Sequence, residues 1–409
     1  MFETMKIKNQ YRIILCIWGT ISVFSCTSPT NKHSQNYEKG HLSEYNSIEY
    51  KIDPECMTDR MNNNQYSVDS VCTIHLPKDV VGFSATKVVV DNERIYLMDS
   101  KNTRTIFVFN SSGKYLYKIG ERGRAKNEYI GGPVDFFIDK TNDVHVFDKD
   151  GQKILVFHND DFVKMIDTRS YRIHSFGITS NGRYLFCMNN ASSDETDYPS
   201  LMMCDFDYTN KNELLPAKEK PYFCNPGNQT FFSNGYRTSH IPLLSDSVLV
   251  FRKDTLEKVV RFDFNGKFIM DEEPNFAIET NSNGASAIAK KMFNYQGVLS
   301  LCTYQETESL ILLQYDYQRS IKDWLYNKRT KKVINNYCLF EGVVPFTYYF
   351  LRDNQLIAYV SEENADMLRE VYKSNKDRKD ELDKSSPQVR DLIEGKISAP
   401  AIFYITIKN

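Results

Sequence analysis

Between residues 87 and 166 the chain repeats one strand grammar, and this repeat constrains the fold more than any other feature. Lys87 to Asp99 reads KVVVDNERIYLMD: an apolar run, a polar turn at Asp91-Asn92-Glu93, then Ile95 to Met98. Ile106 to Phe109, a turn at Asn110 to Gly113, and Tyr115 to Gly120 follow. About 48 residues on, Phe136 to Asp139, a turn, and Val144 to Asp148 restate the first half. Ile154 to Phe157, a turn at His158 to Asp161, and Phe162 to Ile166 restate the second. Short strands joined by Asn, Asp and Gly turns are hairpins. A 40–50-residue period with four strands is the signature of a propeller blade.

The grammar continues more loosely. Phe176 to Met188 and Leu201 to Phe206 form a third unit, and Asp246 to Phe251 with Lys258 to Phe264 form another. Gly297 to Thr303 and Ser309 to Tyr317 pair as a hairpin ahead of Tyr349 to Val360. Residues 362–394 break the pattern with dense charge, and predict one or two amphipathic helices with Pro387 as punctuation. Ala401 to Ile407 reads as a closing strand whose partner is Tyr66 to Leu76. The expected fold is all-β, one six-bladed propeller over residues 47–409 with a short helical insertion near the C-terminus.

The N-terminus reads as an address. Lys6, Lys8 and Arg12 precede a twelve-residue, mainly apolar run, Ile13 to Phe24, too short to span a bilayer but suited to a secretory signal. It ends in Val23-Phe24-Ser25-Cys26, which is similar to a bacterial lipobox, so residues 1–25 are expected as signal peptide and Cys26 as the lipidated residue. Met5 is an alternative start, and a non-lipoprotein signal or an uncleaved anchor is the alternative reading. Polar residues 27–46 read as a tether that reaches roughly 25 Å as a coil. No acidic pair follows Cys26, so the expected address is the outer membrane, facing the periplasm.

Composition excludes other classes. With 51 Lys+Arg against 53 Asp+Glu there is no basic excess to neutralise phosphates, so no nucleic-acid partner is expected. Seven cysteines follow Cys26 at wide spacing with no C-x-x-C, which argues against zinc. Cys72, Cys187, Cys204, Cys302 and Cys338 lie in apolar runs and read as buried thiols, although export would permit a Cys56–Cys72 bridge.

The stretch Asp99…Ile106-Phe107-Val108-Phe109…Gly113-Lys114…Ile119-Gly120-Glu121-Arg122-Gly123-Arg124-Ala125-Lys126-Asn127-Glu128-Tyr129 resembles the six-bladed β-propeller lipoproteins, related to NHL repeats, of gut-commensal Gram-negative bacteria. Ala125-Lys126 stands where that family has Gly-Pro, and Ser398-Ala399-Pro400-Ala401 where it has Asn-Pro-Val-Leu. The resemblance covers roughly residues 66–407 and implies a fold and an exported lipoprotein, but no reaction.

A search for chemistry finds no G-x-x-x-x-G-K-[ST], H-E-x-x-H or G-x-S-x-G, so no catalytic residue, metal site or cofactor is assigned. His145 lies opposite Val144 and Val146 and reads as a strand histidine or a channel ligand. Asp148-Lys149-Asp150-Gly151 reads as a tight turn rather than a calcium loop, since the bidentate Glu is missing. Phe346 to Phe350 is strand core or a sugar-stacking platform. Gly120 to Tyr129 is the most distinctive segment: Arg122, Arg124 and Lys126 with Glu128 and Tyr129 make either an anion-recognising loop or a solvated turn.

The functional expectation is a membrane-anchored, non-catalytic binding or scaffold module holding a peptide, glycan or protein at a propeller face. The alternative is a propeller lyase or hydrolase using channel carboxylates or a metal.

Overall fold

The computed structural model describes residues 45–408 apart from internal segments, the longest being 189–199, 216–228, 273–289, 338–347 and 375–385. The expected signal peptide, Cys26 and nearly all of the expected tether lie outside the described residues.

Six sheets make a six-bladed β-propeller. Blade I is β3 (Lys87–Asp91), β4 (Arg94–Asp99), β5 (Thr105–Asn110) and β6 (Tyr115–Ile119). Blade II is β7 (Asp135–Ile138), β8 (Asp143–Asp148), β9 (Lys153–His158) and β10 (Asp161–Asp167). Blade III runs from β11 (Ser175–Ile178) through β12 (Arg183–Cys187) and β13 (Leu201–Asp205) to β14 (Asn212–Leu215). Blade IV holds β15 (Phe231–Ser233), β16 (Arg237–His240), β17 (Ser247–Arg252) and β18 (Thr255–Asp263). Blade V comprises β19 (Val298–Glu306), β20 (Leu310–Tyr317), β21 (Ser320–Asn327) and β22 (Lys332–Tyr337). Blade VI is β23 (Tyr348–Arg352), β24 (Gln355–Val360) and β25 (Ala401–Ile407), completed by β2 (Tyr66–Thr73) from the far end of the chain.

Alternation explains why such sheets stack face to face. In β4, Ile95 and Leu97 join a core with Ile357, Tyr359 and Ile402 of blade VI. The intervening Tyr96 and Met98 join another with Phe136, Val144 and Val146 of blade II. In β5, Phe107 and Phe109 take the first side, and Ile106 and Val108 the second. A strand apolar on both faces has no solvent side, so its sheet must be covered twice.

The closing strand pairs as expected. β2 runs antiparallel to β25 from Tyr66↔Ile407 to Thr73↔Ala401, with a bulge between Val68 and Ser70. Within it the Asp69 carboxylate accepts from Thr406 Oγ1 at 2.6 Å and Gln355 Nε2 at 2.9 Å. The charged insertion forms helices Glu362–Ser374 and Pro387–Ile393. Ser386 caps the second, with Val389 N donating to its Oγ at 3.3 Å and Pro387 in the first turn. Val389, Leu392 and Ile393 pack with Leu368, Val68 and Phe403. Arg369 donates to Leu392 O, which also accepts from Gly395 N at 3.2 Å, and Gly395 at φ +79° ends the helix.

β14, β15, β16, β21 and β22 fall in stretches to which the sequence assigned no strand, and so does the first strand of the chain. Ser47–Lys51 is a strand, β1, added parallel to β18 from Ser47↔Val259 to Lys51↔Asp263. Tyr50 stacks on Phe262, and Ile52 just beyond is buried.

The thiols need one adjustment. Cys72, Cys187 and Cys204 are buried, but Cys302 is only half-buried because it lies on an alternating strand. None of these is disulfide-bonded: Cys56 is exposed, whereas the Cys72 thiol donates to Ser111 O at 3.4 Å. Cys338 lies outside the described residues.

Candidate functional site

The first two blades share a device for fastening the chain that enters them. Asp99 ends β4 fully buried, and its carboxylate accepts from Ser84 N of the incoming connection at 3.2 Å. It also accepts from Lys101 N and Asn102 N at 2.9 Å, and from Thr103 N and Oγ1 at 3.1 Å, in the β4–β5 turn. Asp148 repeats this at the end of β8, taking Ile130 N at 2.7 Å, Gly131 N at 3.3 Å and Gly151 N at 3.2 Å. Asp148-Lys149-Asp150-Gly151 is therefore a turn whose first carboxylate holds backbone N–H groups. No group of three or more His, Cys, Asp or Glu is arranged for a metal among the described residues.

Between these fasteners runs the connection 120–134, which carries the sequence-derived candidates. Tyr129 is fully buried, packs on Phe157 and donates its hydroxyl to Ile119 O at 2.9 Å. Burial, followed by the Asp148 charge, pushes its phenol well above the usual range. Tyr129 is thus a core anchor, not a contact surface. Gly120 sits at φ +63° under the Tyr129 ring, where a Cβ would lie 2.6 Å from ring atoms. The Glu128 carboxylate accepts from Ala125 N at 2.7 Å, and a Cβ on Gly123 would collide with it. Lys153 donates to Glu128 O at 2.6 Å, and Gly123 N to Tyr129 O at 2.8 Å. Tyr129 and Glu128 build the loop, leaving Arg122, Arg124 and Lys126 exposed upon it. Among the described residues no hydrogen bond or ion pair occupies those three side chains.

A second polar centre lies at the first residues of β3 and β7. Lys87 Nζ is 2.6 Å from Asp135 Oδ1, donates to Phe136 O at 2.8 Å and lies 3.9 Å from the Phe137 ring centroid. Asp135 is wholly buried, and burial lifts its carboxyl to about 6 although Lys87 and the Phe136 N–H oppose the rise. Sequence reasoning missed this pair because its partners are 48 positions apart. The signal available was that each begins the same strand of consecutive repeats.

His145 is buried in β8 on the face opposite Val144 and Val146, its Nε2 3.1 Å from Asp139 Oδ2. Thr141 Oγ1 also donates to Asp139, at 2.6 Å. Burial alone would raise the Asp139 carboxyl, but these bonds and the His145 charge hold it down to about 2. His145 is therefore a strand histidine ordering the β7–β8 turn. The Phe346 to Phe350 candidate lies partly outside the described residues, with β23 beginning at Tyr348 and Phe350 partly buried in the core.

A family model described as "Domain of unknown function (DUF4934)" matches residues 80–391. No curated protein matches the chain. Among solved structures, a Bacteroides fragilis NCTC 9343 protein named as a presumed exported protein is 16% identical, with a TM-score of 0.69. That match covers 89% of this chain and 100% of the other. A member of the DUF4221 family from Bacteroides vulgatus is 8% identical over 84% of this chain and 98% of its own, at a TM-score of 0.48. Virginiamycin B lyase from Staphylococcus aureus is 8% identical over 84% of this chain and 100% of its own, at 0.40. The first likeness shows the shared fold; the other two carry no weight at such scores.

Proposed function

The chain belongs to the domain-of-unknown-function family DUF4934, and on that footing we propose that it is an exported, membrane-anchored propeller that binds an anionic ligand without transforming it. The observation that carries this reading is the loop 120–129, whose backbone is secured by Tyr129 and Glu128 while three cations remain unengaged among the described residues. A loop already ordered spends little conformational entropy on binding, and Arg pairs well with carboxylate, sulfate or phosphate oxygens. The ligand is a peptide, glycan or protein that presents such groups at the blade I–II face.

Replacing Arg122 and Arg124 together by Ala tests this in a screen of acidic peptides and glycans. Each charge-assisted bond lost should cost about 1.5–3 kcal/mol of binding, while thermal stability should move by roughly 0.5 kcal/mol or less. A ligand held equally by both proteins would remove the loop from the site.

Export rests on the signal-like N-terminus and is supported by the name of the Bacteroides fragilis relative, while anchoring rests on the Cys26 lipobox alone. The expected address is the outer membrane, facing the periplasm. Cys26→Ala should move the protein out of the membrane fraction; unchanged fractionation would refute lipidation.

A further inference from the structure

Two large aliphatic side chains stand in solvent on the connections that enter blades I and II: Val81 is 84% exposed and Ile130 is 51% exposed. Such exposure on connections pinned by buried carboxylates needs a reason, since nothing in the turn geometry calls for an aliphatic residue there.

The blade I turn 100–104 bridges the two. Asn102 Nδ2 donates to Gly82 O, beside Val81. Arg104 Nη1 donates to Gly131 O at 3.4 Å, beside Ile130, and its Nε to Lys101 O at the same distance. A Cβ on Gly132 would come within 2.9 Å of the Arg104 side chain, so turn and connection are in close contact. Lys101 is exposed and Arg104 half-exposed. The connection that carries Ile130 also carries Arg122, Arg124 and Lys126. The surface therefore runs aliphatic, cationic, aliphatic, then strongly cationic. Its carboxylates are mostly spent: Asp99 and Asp148 on backbone N–H groups, Glu128 on Ala125 N and Glu121 on Lys118. Asp79, Glu121 and Asp150 are the exposed acids of these segments, and Asp150 lies against Gly131 beside Ile130.

We propose that this strip docks an acidic polypeptide segment bearing aliphatic side chains, from a protein partner, with its carboxylates on Arg122, Arg124 and Lys126 and its aliphatic groups on Val81 and Ile130. The inference rests on the anion-binding reading of the loop and narrows it. Charge complementarity selects an acidic occupant in a chain whose mature form is itself net negative, with 48 basic against 52 acidic residues. Paired aliphatic contacts favour a polypeptide over a sulfated glycan, which offers anions but little apolar surface.

The test is selection of random phage-displayed dodecapeptides on the full chain, then titration of enriched peptides and of heparin. Enriched sequences should be net acidic and carry Leu, Ile or Val. A Val81→Ser/Ile130→Ser variant should bind them about tenfold more weakly with Tm unchanged, and Arg122→Ala/Arg124→Ala should weaken them at least as much and flatten their salt dependence. If only the arginine pair matters, or heparin outcompetes every peptide, the polypeptide inference falls while anion binding stands. If neither pair matters, both fall.

Discussion

At the scale of single residues, carboxylates do most of the organising in blades I and II. Asp99 accepts five hydrogen bonds, from four backbone N–H groups in two segments and one hydroxyl, all without exposure to water. Asp99→Ala would strand buried donors, so we expect about 3–5 kcal/mol of destabilisation in urea unfolding. Asp135 and Asp139 give opposite pH signatures. The native Asp135 carboxyl titrates near 6, against the usual 3.8, so the fold keeps a proton that the unfolded chain releases. Its contribution is full below about pH 4 and lost as pH rises towards 6, a change on the order of 2–3 kcal/mol. Asp139, held to about 2, contributes above about pH 4 and loses that contribution as pH falls towards 2. Stability measured against pH for wild type and Asp135→Asn should therefore diverge between pH 6 and 4. Parallel curves would show that Asp135 is not perturbed.

At the scale of elements, caps and cores carry different weights. Ser386 caps the helix Pro387–Ile393, its Oγ accepting from Val389 N, and Ser386→Ala should cost about 1 kcal/mol. Phe403 is fully buried in β25, between β24 and β2, and Phe403→Ala should cost about 3–5 kcal/mol. Denaturant midpoints of the two variants should separate clearly; equal midpoints would mean that β25 does not complete blade VI. The charged insertion was legible as helix because Leu368 and Val371, and then Val389, Leu392 and Ile393, recur at helical spacing among charges. β1 was not legible: its five residues, SIEYK, follow a polar stretch, and only the edge of β18 gives their backbone a partner.

At the scale of the whole molecule, blade VI takes one strand from residues 66–73 and three from residues 348–407. A chain joined this way should survive a single cut. With a protease site engineered between residues 375 and 385, the fragment carrying β25 should stay bound after cleavage. It should co-elute with the rest in native buffer and separate only in denaturant. Release in native buffer would contradict the β2–β25–β24 pairing.

The repeat at 87–166 and the strand at 401–407 determined the architecture, because strands apolar on both faces can only be buried between sheets and the last strand needs a partner. The cations at 122, 124 and 126 were likewise visible as a cluster. Their status was decided only by folding. Glu128 and Tyr129 look like ligand contacts in sequence, yet one is spent on Ala125 N and the other is buried beneath Gly120. Lys87 meets Asp135, and the turn 100–104 links Gly82 beside Val81 to Gly131 beside Ile130, through contacts between residues tens of positions apart. Local periodicity reports which face of a strand is buried; which charges remain unspent depends on what the rest of the chain brings beside them.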